Sequence, residues 1–172
     1  MKMQKAVFFD RDGVVNIDKS YVYKIDDFEY RSGFVEFFTH CKKLGFLALL
    51  VTNQSGINRG FYTLDDFRAL CDFMQSDLLE KCDFNFDKIY FCPHTPQENC
   101  YCRKPKIGMI QEALRDFPID LSQSYFIGDN ESDIECALNA NIKTQILLSQ
   151  CPKNSKATFV IDNFQKAYTI IS

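Results

Sequence analysis

Short continuous apolar runs alternate along the chain with segments whose apolar residues recur at helical spacing. Such runs, rich in β-branched and aromatic residues, are typical of buried strands. The alternation of strands and helices predicts an α/β fold, a doubly wound parallel sheet of the Rossmann-like kind with helices on both faces. The predicted strands are 7–9, 46–51, 87–92, 125–128, 144–148 and 159–161.

Helices are predicted between these strands and at the C-terminus. They cover about 32–44, a long segment from Thr63 past Leu78, about 107–117, a short segment through Leu138, and the last residues of the chain. At the start of the long helix, Thr63 is the predicted cap and Asp66 completes a weak capping box. No insertion between them is large enough for a separate cap domain. We therefore expect one domain over residues 1–172, with a site that is open or covered only by loops.

The connection after the first strand, residues 13–31, is unusually long, polar and aromatic. A connection of this length inside a compact domain is usually functional, often as a flap over a site. The alternative is a surface hairpin that packs its own tyrosines, and the composition favours neither.

Composition limits the possible partners. The 172 residues are 46% hydrophobic, which is enough for a proper core, and the net charge is −3 with a pI near 5.4. This acidic balance argues against a nucleic-acid partner, which usually leaves a basic footprint. No apolar run is long enough to span a bilayer and no signal segment is present. We expect a cytoplasmic monomer, bound neither to membrane nor to nucleic acid.

Polar side chains follow the first four predicted strands. They are Asp10 and Asp12, Thr52 and Asn53, Arg103 and Lys104, and Asp129 with Asp133. In a doubly wound sheet these strand ends meet at one crevice. Carboxylates from two strands suit Mg²⁺, while a hydroxyl, an amide and a lysine suit the oxygens of a phosphoryl group. An anionic nucleophile is repelled by a phosphate dianion, so a cation and a lysine must offset that repulsion.

Four soft metal ligands cluster within eleven residues: Cys92, His94, Cys100 and Cys102. In a reducing compartment such a cluster indicates a metal site rather than a disulfide framework. Three thiolates and one imidazole complete a tetrahedral zinc set, and a closed set of four ligands is structural. We therefore predict a zinc-binding loop over residues 92–102. The other cysteines fit free thiols, most of them buried in helices.

The strand-end residues resemble, in order, the four motifs of the haloacid-dehalogenase superfamily of phosphatases. The motifs are Asp10-Arg11-Asp12-Gly13-Val14, Thr52-Asn53, Lys104, and Gly128-Asp129 with Asp133. Within the superfamily, residues 52–60 and Cys102-Arg103-Lys104-Pro105 are similar to the histidinol-phosphate and heptose-bisphosphate phosphatases. The segments 18–23, 28–29 and 59–60, with Gly108-Met109, resemble the heptose-bisphosphate branch.

The resemblance implies a role for each motif. Asp10 is expected to attack phosphorus and form an aspartyl-phosphate, and Asp12 to act as general acid and then general base. Thr52 and Lys104 would stabilise the phosphoryl group, and Arg103 would recognise the distal part of the substrate. Mg²⁺ would be held by Asp10, Asp12 and Asp129, with Asn130 as a further candidate. The implied substrate contacts are Asp18, Lys19, Ser20, Tyr21, Thr52, Asn53, Gln54, Ser55, Arg103 and Lys104.

The implied reaction is removal of the 7-phosphate from a heptose bisphosphate, on the way to the nucleotide-activated heptose of lipopolysaccharide core. Two features differ from this pattern: Asn130 stands where the family often has lysine, and the short cysteine loop resembles the histidinol branch. Histidinol phosphate is therefore the alternative substrate, and a phosphoacceptor signalling module is the alternative from another class. Asp133 either caps its helix or binds metal through water, and Arg11 is expected to be solvated or to order the loop, with no catalytic role.

Overall fold

The computed structural model describes residues 2–151 and 154–172. Within them the strands form a six-stranded sheet of order β3-β2-β1-β4-β5-β6, in which every neighbouring pair is parallel. The strands are β1 (Ala6–Phe9), β2 (Leu47–Asn53), β3 (Lys88–Cys92), β4 (Tyr125–Gly128), β5 (Thr144–Leu148) and β6 (Phe159–Ile161). The order reverses between β1 and β4, which is the topological switch point where doubly wound sheets bind ligands. The predicted fold class is confirmed.

In the part of the chain that the structure describes, four α-helices cover the sheet: α1 (Phe34–Lys43), α2 (Leu64–Cys82), α3 (Gly108–Asp116) and α4 (Glu131–Asn139). The capping box of α2 is present, since Thr63 Oγ1 accepts from Asp66 N at 3.1 Å and Asp66 Oδ2 accepts from Thr63 N at 2.7 Å. Helix α1 begins two residues later than predicted because Gly33 is left-handed, with φ of 81°. No helix of the described residues combines the length and apolarity that a membrane crossing needs.

The predicted C-terminal helix is present, but it is a 3-10 helix and not an α-helix. The segment Phe164–Thr169 is a 3-10 helix, with Asn163 capping its first turn. Its two buried side chains, Phe164 and Ala167, are three residues apart. Because a 3-10 helix has three residues per turn, that spacing places both side chains on the face that packs on the domain.

The core is divided between the two faces of the sheet. In β1, Val7 and Phe9 contribute to one hydrophobic cluster, while Ala6 and Phe8 contribute to the other. The ring of Phe9 lies 5.8 Å from that of Phe34, in the edge-on arrangement that aromatic pairs prefer. Each fully buried phenylalanine contributes about 1.5–3 kcal/mol. The central strand is thus clamped from both sides, and its carboxyl end is a rigid support for the polar residues after it.

The long connection after β1 both packs its own aromatic residues and reaches over the strand ends. Asn16 bridges to Tyr30 in antiparallel fashion, and the Phe28 and Tyr30 rings lie 5.0 Å apart. Arg31 Nη1 donates to the carbonyl oxygen of Gly13 at 2.6 Å and closes the base of the connection. The connection therefore has features of both alternatives left open by the sequence, a flap over the site and a hairpin that packs its own aromatic residues. We call residues 18–23 of this connection the flap.

Candidate active site

A polar cleft lies at the carboxyl ends of the central strands, between the flap and the cysteine loop. Twelve of the predicted site residues line it: Asp10, Asp12, Asp18, Ser20, Tyr21, Asn53, Gln54, Ser55, Arg103, Lys104, Asp129 and Asn130. Among the described residues, Thr52 and Lys19 are not part of the lining. Thr52 is buried, and the Lys19 ammonium pairs with Glu29 Oε2 at 3.1 Å.

Lys104 is the buried cation of the cleft. Its Nζ lies 2.8 Å from Asp10 Oδ1 and 2.7 Å from Asp133 Oδ1, and it donates to the carbonyl oxygen of Val51 at 2.7 Å. The Lys104 side chain is 1% exposed and that of Asp133 2%. One cation therefore balances two carboxylates inside the protein, and Asp10 is held at the end of β1 beside it.

The acidic groups need more positive charge than Lys104 supplies. Burial raises the pKa of the Asp10 carboxyl well above its ordinary value, and Asp133 and Asp129 raise it further against the lowering effect of Lys104. Burial, with Asp133, likewise raises the pKa of Asp129 to about 6. The burial of Lys104 acts to lower its own pKa, but the two carboxylates outweigh this and the pKa is raised. This is the electrostatic environment that a divalent cation would relieve.

The local backbone leaves room for a hard oxygen site. Carboxylate oxygens of Asp10, Asp129 and Asp133 lie within 4.8 Å of one another, the arrangement expected of a cation site. A Cβ at Gly13, whose φ is 87°, would collide with the Asp129 carboxylate, and a Cβ at Gly128 would collide with Asp133. The two glycines after β1 and at the end of β4 therefore let the acidic side chains converge.

Asp133 has a role that the two sequence-based alternatives only partly cover. Its Oδ2 accepts from Asn130 N at 3.2 Å and caps α4, while its Oδ1 is bound to Lys104. The Asn130 side chain takes the reciprocal place and accepts from Ser132 N at 3.5 Å. Capping is thus present, and the remaining oxygen of Asp133 orients the lysine.

Asp12 lies across the cleft in a separate hydrogen-bond network. Asn16 Nδ2 donates to its Oδ1 at 3.1 Å, and Gln54 Nε2 donates to its Oδ2 at 3.0 Å. Arg11 Nη2 contacts both oxygens, at 3.0 and 3.1 Å. Arg11 was expected either to be solvated or to order the loop. It is buried, so the first alternative is wrong, and its contacts agree with the second.

The residues after β2 support both sides of the cleft. Gln54 Nε2 also donates to Thr52 Oγ1 at 2.8 Å, and Tyr62 Oη donates to Gln54 Oε1 at 2.5 Å. The side chain of Asn53 holds the backbone of Lys104, because its Oδ1 accepts from Lys104 N at 3.0 Å. Gln54 therefore has three partners within the protein and acts on Asp12 as a support.

The cysteine loop forms a compact ligand cluster. The Sγ atoms of Cys92 and Cys102 are 3.0 Å apart, Cys92 and Cys100 3.5 Å, and His94 Nδ1 lies 3.2 Å from Cys102 Sγ. A tetrahedron with zinc–sulfur bonds of about 2.3 Å has edges of about 3.8 Å, and the observed separations are all shorter than this, so the four ligands converge on one point. Burial acts to raise the pKa of Cys100, but hydrogen bonds from the Arg103 backbone and the neighbouring thiols lower it to about 7.

The cysteine loop also carries the cleft residues that come directly after it. Arg103 N donates to Cys100 Sγ at 3.3 Å, and Arg103 Nη1 donates to the carbonyl oxygen of His94 at 3.2 Å. The side chain of Lys106 lies on the outside of the loop, with Nζ bound to the carbonyl oxygen of Cys100 at 2.7 Å. The position of Arg103 therefore depends on the cluster.

Two cleft residues were missed by sequence reasoning. Tyr62 and Ser132 line the cleft without belonging to any predicted site. Tyr62 comes directly before the cap of α2, so it has the pattern of an ordinary core aromatic residue. Ser132 stands in the first turn of α4, two residues after the cap, and the convergence of that helix on the cleft was a usable signal.

Comparison with known proteins places the chain in a family. A family model described as HAD-hydrolase-like matches residues 101–167. A Helicobacter pylori relative (strain ATCC 700392 / 26695) named D-glycero-beta-D-manno-heptose-1,7-bisphosphate 7-phosphatase is 49% identical over 160 residues, covering 93% of this chain and 92% of the relative. A Campylobacter jejuni relative, named for the alpha anomer of the same substrate, is 50% identical over 146 residues, covering 85% of this chain and 83% of the relative.

A solved structure matches the fold at full length. It is a D,D-heptose 1,7-bisphosphate phosphatase from B. bronchiseptica complexed with magnesium and phosphate. The TM-score is 0.83 at 26% identity, and the match covers 97% of this chain and 99% of that chain. With relatives near half identity over most of its length, the chain belongs to the family of D-glycero-D-manno-heptose-1,7-bisphosphate 7-phosphatases among the HAD-like hydrolases.

Proposed function

We propose that this protein removes the 7-phosphate from D-glycero-D-manno-heptose 1,7-bisphosphate, in the synthesis of nucleotide-activated heptose for lipopolysaccharide core. The observation that carries the proposal is the buried pair of Asp10 and Lys104, 2.8 Å apart at the switch point of the sheet. A carboxylate beside a fixed cation at this place is equipped to meet a phosphoryl group. The names of the relatives supply the substrate.

The reaction runs in two steps through Asp10. An Asp10 oxygen attacks phosphorus, the bond from phosphorus to the sugar oxygen breaks, and Asp12 gives its proton to that oxygen. Asp12, now ionised, takes a proton from water, whose oxygen attacks phosphorus and releases phosphate from Asp10. Lys104 stays beside the phosphoryl oxygens in both steps. Thr52 Oγ1, which accepts from Gln54 Nε2, would give them a further hydrogen bond.

Mg²⁺ fits the acidic side of the cleft. Asp10, Asp129 and the main-chain carbonyl oxygen of Asp12 would hold it, because Asp133 is already engaged by Lys104 and the α4 cap. Asn130 uses its side chain in the same cap, so any contact with the ion would come from its backbone. When bound, the cation would neutralise the charge on the transferring phosphoryl group and lower the repulsion of the attacking carboxylate.

The rest of the substrate would lie between the flap and Arg103. Asp18, Ser20 and Tyr21 on the flap face the same cleft as Asn53, Ser55 and Arg103, so hydroxyl groups and the distal phosphate would find donors on both sides. Lys19 would reach the substrate only after leaving Glu29, to which its exposed side chain is bound. Specificity for the sugar would therefore come from loops and not from the sheet.

We assign a structural zinc ion to Cys92, His94, Cys100 and Cys102. The cluster has four ligands and no open position for water, which fits support and not catalysis. All eight cysteines lie within the described residues and are free thiols, which suits a reducing cytoplasm. The chain would act there as a monomer on a small sugar phosphate.

The test is phosphate release from heptose 1,7-bisphosphate, assayed as both anomers beside histidinol phosphate. We expect turnover of a heptose bisphosphate at least about 100-fold more efficient than of histidinol phosphate, since a site built to bind polar substrate groups rejects a substrate that lacks them. The Asp10→Asn variant controls for contaminating phosphatases. Preference for histidinol phosphate would overturn the proposal, and a stable phosphoprotein without turnover would favour the signalling alternative.

A further inference from the structure

We propose that Arg11 is a positioning residue that orients the Asp12 carboxylate and fastens the flap to it. The inference rests on the proposed function, because it assumes that Asp12 moves the protons of the reaction. It goes beyond that function by adding a residue that touches neither phosphate nor sugar. Arg11 stands between the two aspartates in sequence, but its side chain is buried and is not part of the lining described for the cleft.

Among the described residues, one nitrogen makes all the side-chain hydrogen bonds of Arg11. Nη2 contacts Asp12 Oδ1 at 3.0 Å and Oδ2 at 3.1 Å, and it donates to the carbonyl oxygen of Val22 at 2.6 Å. The contact with both oxygens holds the carboxylate against the guanidinium and, together with Asn16 and Gln54 on the separate oxygens, restricts its orientation. Val22 is buried and directly follows Tyr21 of the cleft lining. The same nitrogen thus joins the proton-transferring group to the flap.

The guanidinium is buried beside apolar side chains, and two of its nitrogens have no hydrogen-bond partner among the described residues. The Arg11 side chain is 1% exposed, its Cζ lies 5.8 Å from the centre of the Phe67 ring, and Tyr62 and Cys71 complete an apolar cluster with that ring. Its Nε and Nη1 have no hydrogen-bond partner among the described residues.

Burying a charged group whose donors lack partners lowers the folding stability. Replacing a buried ion pair by apolar residues often leaves the folding stability unchanged or raises it. A packing role would therefore be better served by a methionine or leucine. The guanidinium also lies over the Phe67 ring, a favourable cation–π contact, but the contacts of Nη2 with Asp12 and Val22 are the ones that reach the cleft and the flap, so we assign the function of the side chain to them.

Arg11 completes a three-sided support for Asp12. Asn16 contacts one carboxylate oxygen and Gln54 the other, so these two donors set the ends of the group while Arg11 spans it. Without Arg11 the carboxylate keeps neutral donors but loses its only cationic partner among the described residues. We expect Asp12 to remain in place on average and to lose its fixed orientation.

The test compares leaving groups in the first chemical step. A sugar oxygen is a poor leaving group that needs the Asp12 proton, whereas p-nitrophenolate leaves without one. Rapid-quench measurements follow the first turnover of heptose 1,7-bisphosphate and of p-nitrophenyl phosphate by wild type, Arg11→Met and Arg11→Lys. We expect Arg11→Met to slow the sugar reaction by about 10–100-fold and the aryl reaction by less than about threefold. Arg11→Lys keeps a charge near Asp12 and should recover part of the sugar rate.

A double-mutant cycle gives an independent result from the sugar substrate alone. If Arg11 acts through Asp12, adding Arg11→Met to Asp12→Asn should change the remaining first-step rate by less than about threefold. Ile142→Ala, a truncation in the hydrophobic cluster on the other face of the sheet, controls for general loss of stability. It should lower the melting temperature but change the first-turnover rates of the sugar and aryl substrates by the same factor.

An equal loss on both substrates, or a full effect of Arg11→Met on top of Asp12→Asn, would overturn the proposal in favour of a packing role. If Arg11→Met does not fold, Arg11→Lys and Arg11→Gln carry the same comparison, because both keep a donor at the site. Failure of the proposed function is a separate result, visible as wild-type protein that releases no phosphate from heptose bisphosphate.

Discussion

Replacing Asp129 by asparagine is expected to stabilise the metal-free protein above pH 6 and to reduce strongly its stabilisation by Mg²⁺. Burial, with the nearby Asp133 carboxylate, raises the pKa of Asp129 to about 6 from an ordinary value of 3.8. The ionised side chain is therefore held in the folded protein at a cost that the unfolded chain does not have. Asparagine keeps the size of the side chain and removes the charge.

The size of the effect follows from the same two pKa values. In metal-free wild type, Asp129 binds more proton in the folded than in the unfolded state between pH 3.8 and about 6. The free energy of unfolding therefore falls as pH rises through this window, and the loss is complete above it. At about 1.4 kcal/mol for each pH unit, the difference corresponds to about 3 kcal/mol. For a chain of this length that is about 6–12 °C in melting temperature.

Urea unfolding at pH 3.5, 5 and 7.5, in chelator and then in Mg²⁺, checks the reasoning. We expect wild type and Asp129→Asn to differ little at pH 3.5 and by about 3 kcal/mol at pH 7.5 without metal, in favour of the variant. Saturating Mg²⁺ should stabilise wild type by about 2.7 kcal/mol at 100 times its Kd, and the variant by much less. The exposed Glu80→Gln serves as the control for loss of one negative charge. A variant no more stable than wild type at pH 7.5 in chelator would refute the argument.

Three further changes test the other groups of the site. Asp10→Asn should lower phosphate release by at least about 10³-fold while circular dichroism and melting show a folded protein, and retained turnover would exclude Asp10 as the nucleophile. Lys104→Met should cost about 3–5 kcal/mol in urea unfolding at pH 7.5, because two buried carboxylates lose their cation; a loss below about 1 kcal/mol would contradict the assignment. Cys100→Ser should lower bound zinc, measured by mass spectrometry, together with the melting temperature, and raise KM through Arg103. Zinc-free wild type would disprove the zinc assignment.

The sequence was sufficient for the parts of the structure that depend on local pattern. Apolar runs predicted the strands, and the polar residues after them predicted which side chains meet, because parallel strands bring their carboxyl ends to one edge. Asp10, Asp129 and Lys104 come together on that basis alone, although Asp10 and Lys104 are 94 positions apart. The spacing of Cys92, His94, Cys100 and Cys102 likewise predicted a ligand cluster.

The features that sequence reasoning missed depend on tertiary environment. Arg11 has a charge that normally lies in solvent, and its burial is visible only once α2 and the flap are packed around it. Gln54 was predicted as a substrate contact, but its amide bonds to Asp12 and Thr52 could not be found before the turn after β2 was built. The 3-10 form of Phe164–Thr169 also depends on the surface against which its apolar side chains pack.

The separate partners of Asp10 and Asp12 explain how one short turn can hold the proposed nucleophile and the proposed proton carrier side by side. Both are carboxylates, yet Asp10 is partnered by Lys104 on the sheet side, whereas Asp12 is partnered by Arg11 and Gln54 on the flap side. Each acid therefore has its own cation, and neither cation is shared between the two. Since Arg11 also holds Val22, a displacement of the flap would act directly on the contacts of Asp12. Sugar contacts on the flap would thus bear on proton transfer and leave the attacking carboxylate fixed.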